Sequence, residues 1–208
     1  MFGGSLPSDI PISHKNGPIL NERKTMHYLT SMGHLLAFNP GILNREENLK
    51  RLQYYSIANV LILGLIYGGA AALMGPYLLE RQGLDATGFN GIKVLVAGIP
   101  VAFLMHAGGA LFVWVFMRAM GGRANFVTAY FFMGAAAISL WCLAPFAAAL
   151  QMGTITPFTK GFGLLLALYG FGVMFKAAQE AFQLSGFKMT IATLVTLSYI
   201  GCFLYLWI

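Results

Sequence analysis

KVLVAGIPVAFLMHAGGALFVWVFMRAMGGRANFVTAYFFMGAAAISLWCLAPFAAAL, residues 93–150, is the stretch on which the reading of this chain turns. It holds two apolar runs, Val94–Met117 and Ala124–Leu150, joined by a short basic turn from Arg118 to Arg123. Crossing ~30 Å of hydrocarbon takes ~20 helical residues at 1.5 Å each, and both runs exceed that. A helix apolar on every face cannot be hidden at the surface of a water-soluble protein. The pair therefore reads as a transmembrane hairpin. Arg118, Gly121, Gly122 and Arg123 form a turn held at one membrane surface, which sets its orientation.

Composition supports the same reading. Of 208 residues, 58% are hydrophobic and 10% charged, with a mean hydropathy of +0.70. Soluble domains carry roughly 25% charged residues, so a soluble globular class is excluded. The net charge of +6 is spread over loops; it suits anionic headgroups and not nucleic acid, which asks for a dense basic patch. Cys142 and Cys202 both fall in apolar runs, so no disulfide framework is expected. The first 21 residues have no charged segment leading into an apolar core, and no cleaved leader is expected.

Outward from the hairpin, three regions are predicted. Residues 1–20 form an extended arm, because Pro7, Pro11 and Pro18 interrupt any helical ladder, and a partner subunit is the natural group to hold it. Residues 21–55 form cytoplasmic amphipathic helices. In the first, Asn21–Phe38, the positions Met26, Leu29, Met32, Leu35 and Leu36 recur at helical spacing beside Arg23, Lys24, His27 and His34. That stripe serves either the membrane interface or a face of the protein's own spans. Pro40-Gly41 ends it, and Asn44 with Glu47 as capping-box partner opens a second helix running into the first span.

Residues 56–208 form an all-α bundle of five spans: Ser56–Leu79, Val94–Met117, Ala124–Leu150, Pro157–Phe175 and Met189–Ile208. With the N-terminus cytoplasmic, the inside collects Lys15, Arg23, Lys24, Arg45, Lys50, Arg51, Arg118, Arg123, Lys176 and Lys188. The outside keeps Arg81, Lys93 and Lys160. The positive-inside rule then gives N-inside, C-outside, in a bacterial inner membrane.

Candidate chemistry is sparse. His106 is the one histidine within a span, about twelve residues from its outer end. An intramembrane ionisable residue is a functional hypothesis, here haem, quinone or a transport path. The plainer role is a neutral imidazole bonded across the bundle to Ser139 or Tyr169, which lie at similar depth. Cys142 and Cys202 share a depth that would allow a thiol pair, but buried cysteine is usually a small apolar residue. Lys176 and Glu180, four apart at the end of the fourth span, read as an interfacial ion pair rather than a relay.

Small residues are the stronger signal. Gly64, Gly68 and Ala72 continue one helix face, Gly108, Gly109 and Gly134 add others, and Ala135–Ala137 with Gly170 and Gly172 complete the set. Such faces let helices approach where lipid supplies no hydrophobic drive. Pro76, Pro100 and Pro145 mark kinks or span ends. The sequence holds no His-Glu-x-x-His, Gly-x-Ser-x-Gly or Walker-type loop, and no acidic residue deep in a span.

The order of parts resembles the Yip (Ypt-interacting protein) family of five-span membrane proteins, including its bacterial members. The resemblance begins at Leu35-Leu36-Ala37-Phe38-Asn39-Pro40 and is clearest at Gly121-Gly122-Arg123-Ala124-Asn125-Phe126, followed by Tyr130 and Gly134. It covers roughly Leu35 to Ile208. The acidic-aromatic-Gly-Pro motif of eukaryotic members is absent, and the proline usual soon after the third span's glycine stands at Pro145. The resemblance implies an integral membrane protein acting through protein and lipid contacts.

The expectation is a non-enzymatic scaffold, assembly or accessory subunit of a larger membrane complex. It has no predicted cofactor beyond bound lipids, and it meets other subunits through residues 1–40 and its Gly/Ala faces. The competing expectations are a small transporter or channel, and a redox subunit holding haem or quinone near His106.

Overall fold

The computed structural model describes residues 18–44, 46–153 and 156–207, and the side chains of 27–44, 48–153 and 156–198. Residues 1–17, most of the expected arm, lie outside it, as do the side chains of Cys202 and of Glu47, the expected capping-box partner. Among the described residues the chain is all helical. In order it forms α1 (Pro18–Leu36), a 3-10 turn (Pro40–Asn44), α2 (Glu46–Leu49), α3 (Leu52–Arg81), α4 (Gly91–Ala119), α5 (Phe126–Ala136), a second 3-10 turn (Ala137–Leu140), α6 (Ala144–Gln151), α7 (Pro157–Phe182) and α8 (Gly186–Trp207). Three of these, α3, α4 and α7, are long and apolar enough to cross a membrane.

The expected third span, 124–150, is not one helix. It breaks into α5, the 3-10 turn and α6, and its two halves meet at 78°. Pro145 sits in the first turn of α6, where a missing N–H costs nothing. Inside a continuous helix its ring would collide with the carbonyl of Trp141, four residues back. The chain turns at Trp141–Leu143 instead. The expected helix running unbroken from Asn44 into the first span is likewise two pieces, α2 ending at Leu49 and α3 beginning at Leu52.

The ends of the bundle are defined by a few contacts. At one end, the Arg123 amide donates to the Phe182 carbonyl (3.2 Å), joining the start of α5 to the end of α7. At the other, Arg81 Nη1 donates to the Gly153 carbonyl (3.2 Å), joining the end of α3 to the end of α6. The start of the broken helix thus lies beside the end of α7, and its end beside the end of α3.

α4 lies chiefly against α3, and touches the α5 with which the sequence pairs it over a smaller face. The reason is a glycine seam. A Cβ added to Gly64 would lie 2.8 Å from the Ile99 Cα, and one added to Gly98 would lie 2.6 Å from the Gly68 Cα. Backbone meets backbone there, the approach that substitutes for hydrophobic drive in lipid. Ala72 continues the face toward Gly91, whose Cβ position is 3.7 Å from the Ala72 Cβ. α3 is thus the central helix, touching α4, α5, α6 and the second 3-10 turn. A second buried layer, with Met117, Ala129, Met133, Val173, Ala177 and Phe182 among its members, joins α4, α5 and α7 and continues to Met189 and Ala192 of α8.

Candidate functional site: the polar seam between α1, α3, α4 and the broken helix

Eight polar side chains meet in the half of the bundle that carries Arg118 and Arg123. The centre is Asn59, two turns into α3 and fully buried. Its Nδ2 donates to the Ala135 carbonyl (2.6 Å) and to Met32 Sδ (3.3 Å), while its Oδ1 accepts from the Tyr28 hydroxyl. One asparagine thus ties α1, α3 and the C-terminal turn of α5. Its own carbonyl accepts from Trp141 Nε1 (3.1 Å), at the bend. An amide buried in an apolar bundle needs these partners, because each unmet bond costs about 1–3 kcal/mol.

One turn back on α3 stand Tyr55 and Ser56, both buried, with neither hydroxyl bonded to a described group. The Tyr55 ring meets Tyr28 edge-on at 5.4 Å. Burial, and then the neighbouring Tyr55, raise the Tyr28 phenol above its ordinary range. On α1, Ser31 donates to Asn48 Oδ1 (3.2 Å), and Asn48 Nδ2 donates to the Ile42 carbonyl (2.8 Å), closing the link to α2.

His106 reaches the same seam from α4. It is 8% exposed, and its Nε2 lies 3.0 Å from the Tyr130 carbonyl on α5. With the proton on Nε2, the ring donates to a carbonyl that α5 also uses internally. The Tyr130 ring lies against the imidazole at 4.5 Å, tilted by 58°. Gly134 makes this approach workable: a Cβ there would overlap the Ser56 hydroxyl and stand 3.0 Å from His106 Nε2.

The expected partners of His106 are elsewhere. Ser139 donates to the Ala136 carbonyl (2.8 Å) and to the Gly170 carbonyl (3.1 Å), pinning the 3-10 turn to α7. The Tyr169 hydroxyl donates to the Leu36 carbonyl (2.6 Å), so it holds the end of α1. Both residues secure helix ends rather than the imidazole.

No protein-family model, curated protein or solved structure matches the chain.

The remaining candidates divide clearly. Gly64 and Gly68 form the α3–α4 seam, Gly170 receives Leu140, and Gly172 receives the Phe38 ring. Gly108 and Gly109 instead have nothing within 4 Å of the point where a Cβ would stand, and they face away from the bundle. Lys176 and Glu180 do not pair. Lys176 Nζ donates to Gln179 Oε1 (3.0 Å), and Glu180 accepts from Asn44 Nδ2 of the 3-10 turn packed on α7. Cys142 is exposed and has no disulfide partner among the described residues, and the side chain of Cys202 lies outside them. Among the described residues no three His, Cys, Asp or Glu side chains converge as metal ligands.

The basic turn has a clear construction. Gly121 takes φ +90°, which L residues resist, and lets the chain leave α4. At Gly122 a Cβ would lie 2.6 Å from Phe182 Cδ1. Arg118 Nη1 closes the turn by donating to the carbonyls of Gly122 (2.9 Å) and Arg123 (3.2 Å). Sequence reasoning missed Asn59, Ser56, Tyr28 and Gly98. A signal for Asn59 was present, since an amide inside the run 56–79 has to find partners across helices.

Proposed function

We propose that this chain is a non-enzymatic integral membrane protein, a scaffold, assembly or accessory subunit of a larger membrane complex. The observation that carries it is the use made of the polar groups. His106, Asn59, Ser139 and Trp141 each engage a backbone carbonyl, so the polar seam fixes a bent helix and docks α1. Groups spent on backbone carbonyls hold a shape; they are not left facing a substrate. The outward surface is apolar, with Leu104, Met105, Leu164 and Leu165 all exposed, as a lipid- or subunit-facing surface requires.

In this reading the bent pair is one broken span and α8 completes five, as the resemblance to the Yip family implies. Lys50, Arg51, Arg118, Arg123, Lys176 and Lys188 mark the cytoplasmic end, and Arg81, Lys93 and Lys160 the outer end. The membrane is a bacterial inner membrane, with residues 1–40 as the cytoplasmic contact for other subunits. Co-purification in mild detergent tests the role: deleting residues 1–20 reduces recovery of co-purifying subunits, and unchanged recovery removes the arm from it. Topology is tested by labelling intact cells with a membrane-impermeant thiol reagent. Asp85→Cys reacts and Gly121→Cys does not; the reverse result inverts the orientation.

A second reading, a small transporter or channel, is favoured by one observation. Among the described residues the buried Ser56 hydroxyl has no bonded partner, and it stands close to Gly134, which also adjoins His106. Flux measured in proteoliposomes for wild type and His106→Ala separates the two readings, since equal flux removes the transport role.

A further inference from the structure

The break in the third apolar run leaves a mark on the outside of the bundle. α6 turns off at 78° from α5 and packs against the last turns of α3 and the first turns of α7. A groove of about 490 Å³ opens there, walled by Leu73, Tyr77, Pro145, Phe146, Ala149 and Thr159. We propose that this groove binds one anionic phospholipid, its acyl chain along Leu73 and Phe146 and its phosphate against Arg81 and Lys160.

The walls decide the acyl part. They are apolar but for the tips of Tyr77 and the threonines, and Thr156 and Thr159 spend their hydroxyls on each other's capping bonds. A hollow at hydrocarbon depth leaves its lining without contact atoms, and hydrocarbon is the solvent that fills it. The rim decides the headgroup. Arg81 follows Tyr77 by one turn of α3 and gives one N–H to the Gly153 carbonyl, which leaves further guanidinium donors for a phosphate. Lys160 follows Thr159 on α7, and both cations are exposed. Of the nearby acids, the Asp85 carboxylate is occupied by the Thr87 amide (2.8 Å) and hydroxyl (2.6 Å). Asp85 keeps its charge while bonded in this way, so it and Glu80, beside Arg81, are the opposing charges. Tyr77, with its hydroxyl at the end of an exposed ring, sits as interfacial aromatic residues do.

The inference rests on the membrane reading and on the broken helix being one span, and not on the accessory-subunit role. Its test uses the full chain in nanodiscs containing phosphatidylglycerol and phosphatidylcholine, one of them at a time carrying a photo-activatable group in the acyl chain. Adducts are mapped by mass spectrometry. The expected result is labelling concentrated at residues 73–77 and 145–149, stronger from phosphatidylglycerol. Arg81→Gln lowers that preference about fivefold, the change that about 1 kcal/mol per basic residue gives. Ala149→Phe fills the groove and removes labelling at 73–77; should that variant misfold, Leu73→Trp at the exposed rim serves in its place. Labelling spread evenly onto Leu104, Met105, Leu164 and Leu165, or equal labelling from both lipids, overturns the proposal. A failed subunit co-purification leaves this pattern unchanged, so the two ideas can fall separately.

Discussion

Gly68 and Gly98 meet without side chains between them: a Cβ on Gly98 would stand 2.6 Å from the Gly68 Cα and 2.8 Å from its nitrogen. The α3–α4 contact is therefore made by main chain, and the smallest addition forces the helices apart. Gly98→Ala is expected to destabilise the bundle by about 1–3 kcal/mol, the usual cost of overpacking. Gly108→Ala, on the outward face of the same helix, should change stability by less than about 0.5 kcal/mol. Thermal unfolding in detergent compares them, and equal losses would falsify the seam.

Asn59 carries more of the tertiary structure than any other polar side chain among the described residues. Asn59→Ala strands the Tyr28 hydroxyl and the Ala135 carbonyl, at a cost of about 1–3 kcal/mol. Trp141→Phe removes a single interhelical bond and should cost about 0.6 kcal/mol. Because Asn59 also holds α1, limited proteolysis between α1 and α3 should accelerate in the first variant and not in the second. Equal rates would mean that α1 is held without Asn59, by its apolar contacts with Phe132 and Ala135 and by the Ser31–Asn48 and Tyr169–Leu36 bonds.

Alkaline pH should loosen the same seam. The Tyr28 phenol is raised above its ordinary value, so the fold favours the protonated form. That contribution is fully present below the unfolded pKa of about 10 and is lost as pH rises through the higher folded value. Unfolding midpoints should therefore fall above pH ~10 in the wild type, and Tyr28→Phe should flatten part of that fall. An unchanged slope in Tyr28→Phe places the titration on another group.

His106 offers a test of role against fold. If it secures α4 to α5, His106→Ala lowers stability by about 1–3 kcal/mol through lost bonding and packing. His106→Gln, which keeps a donor of similar reach, should recover a good part of this. Partner recovery should follow stability in both variants. A variant that keeps wild-type stability and loses function points to chemistry at the imidazole.

Lys176 and Glu180 should prove energetically independent. A double-mutant cycle between them is expected to give a coupling near zero, whereas Asn44 and Glu180, which share a hydrogen bond, should couple measurably. Coupling confined to the first pair would restore the ion pair that their spacing suggests.

The sequence alone determined the class of this protein. Apolar runs such as 94–117 leave a helix no stable place in water, and composition by itself requires membrane-embedded helices. The turn at Gly121-Gly122 was legible as well, because paired glycines between Arg118 and Arg123 separate two apolar runs; the positive φ of Gly121 and the crowding of Gly122 by Phe182 came with the structure. Gly64 and Gly68 were legible as a contact face, but their partner was not. That Gly98 fills the role while Gly108 and Gly109 face outward depends on how α4 is rotated about its axis, which an all-apolar helix does not encode in its pattern. The break at Pro145 was similarly half visible. A proline marks a site where a helix can end, and only the neighbours Gly170, Asn59 and Gly153 fixed the bend and the end that α6 reaches. His106 was found by residue type and given the wrong partners, since equal depth along two helices does not bring their side chains face to face. Hydropathy follows from what each residue prefers as solvent; rotation, bend and bonding partner follow from which helix lies beside which, and tertiary structure alone decided those.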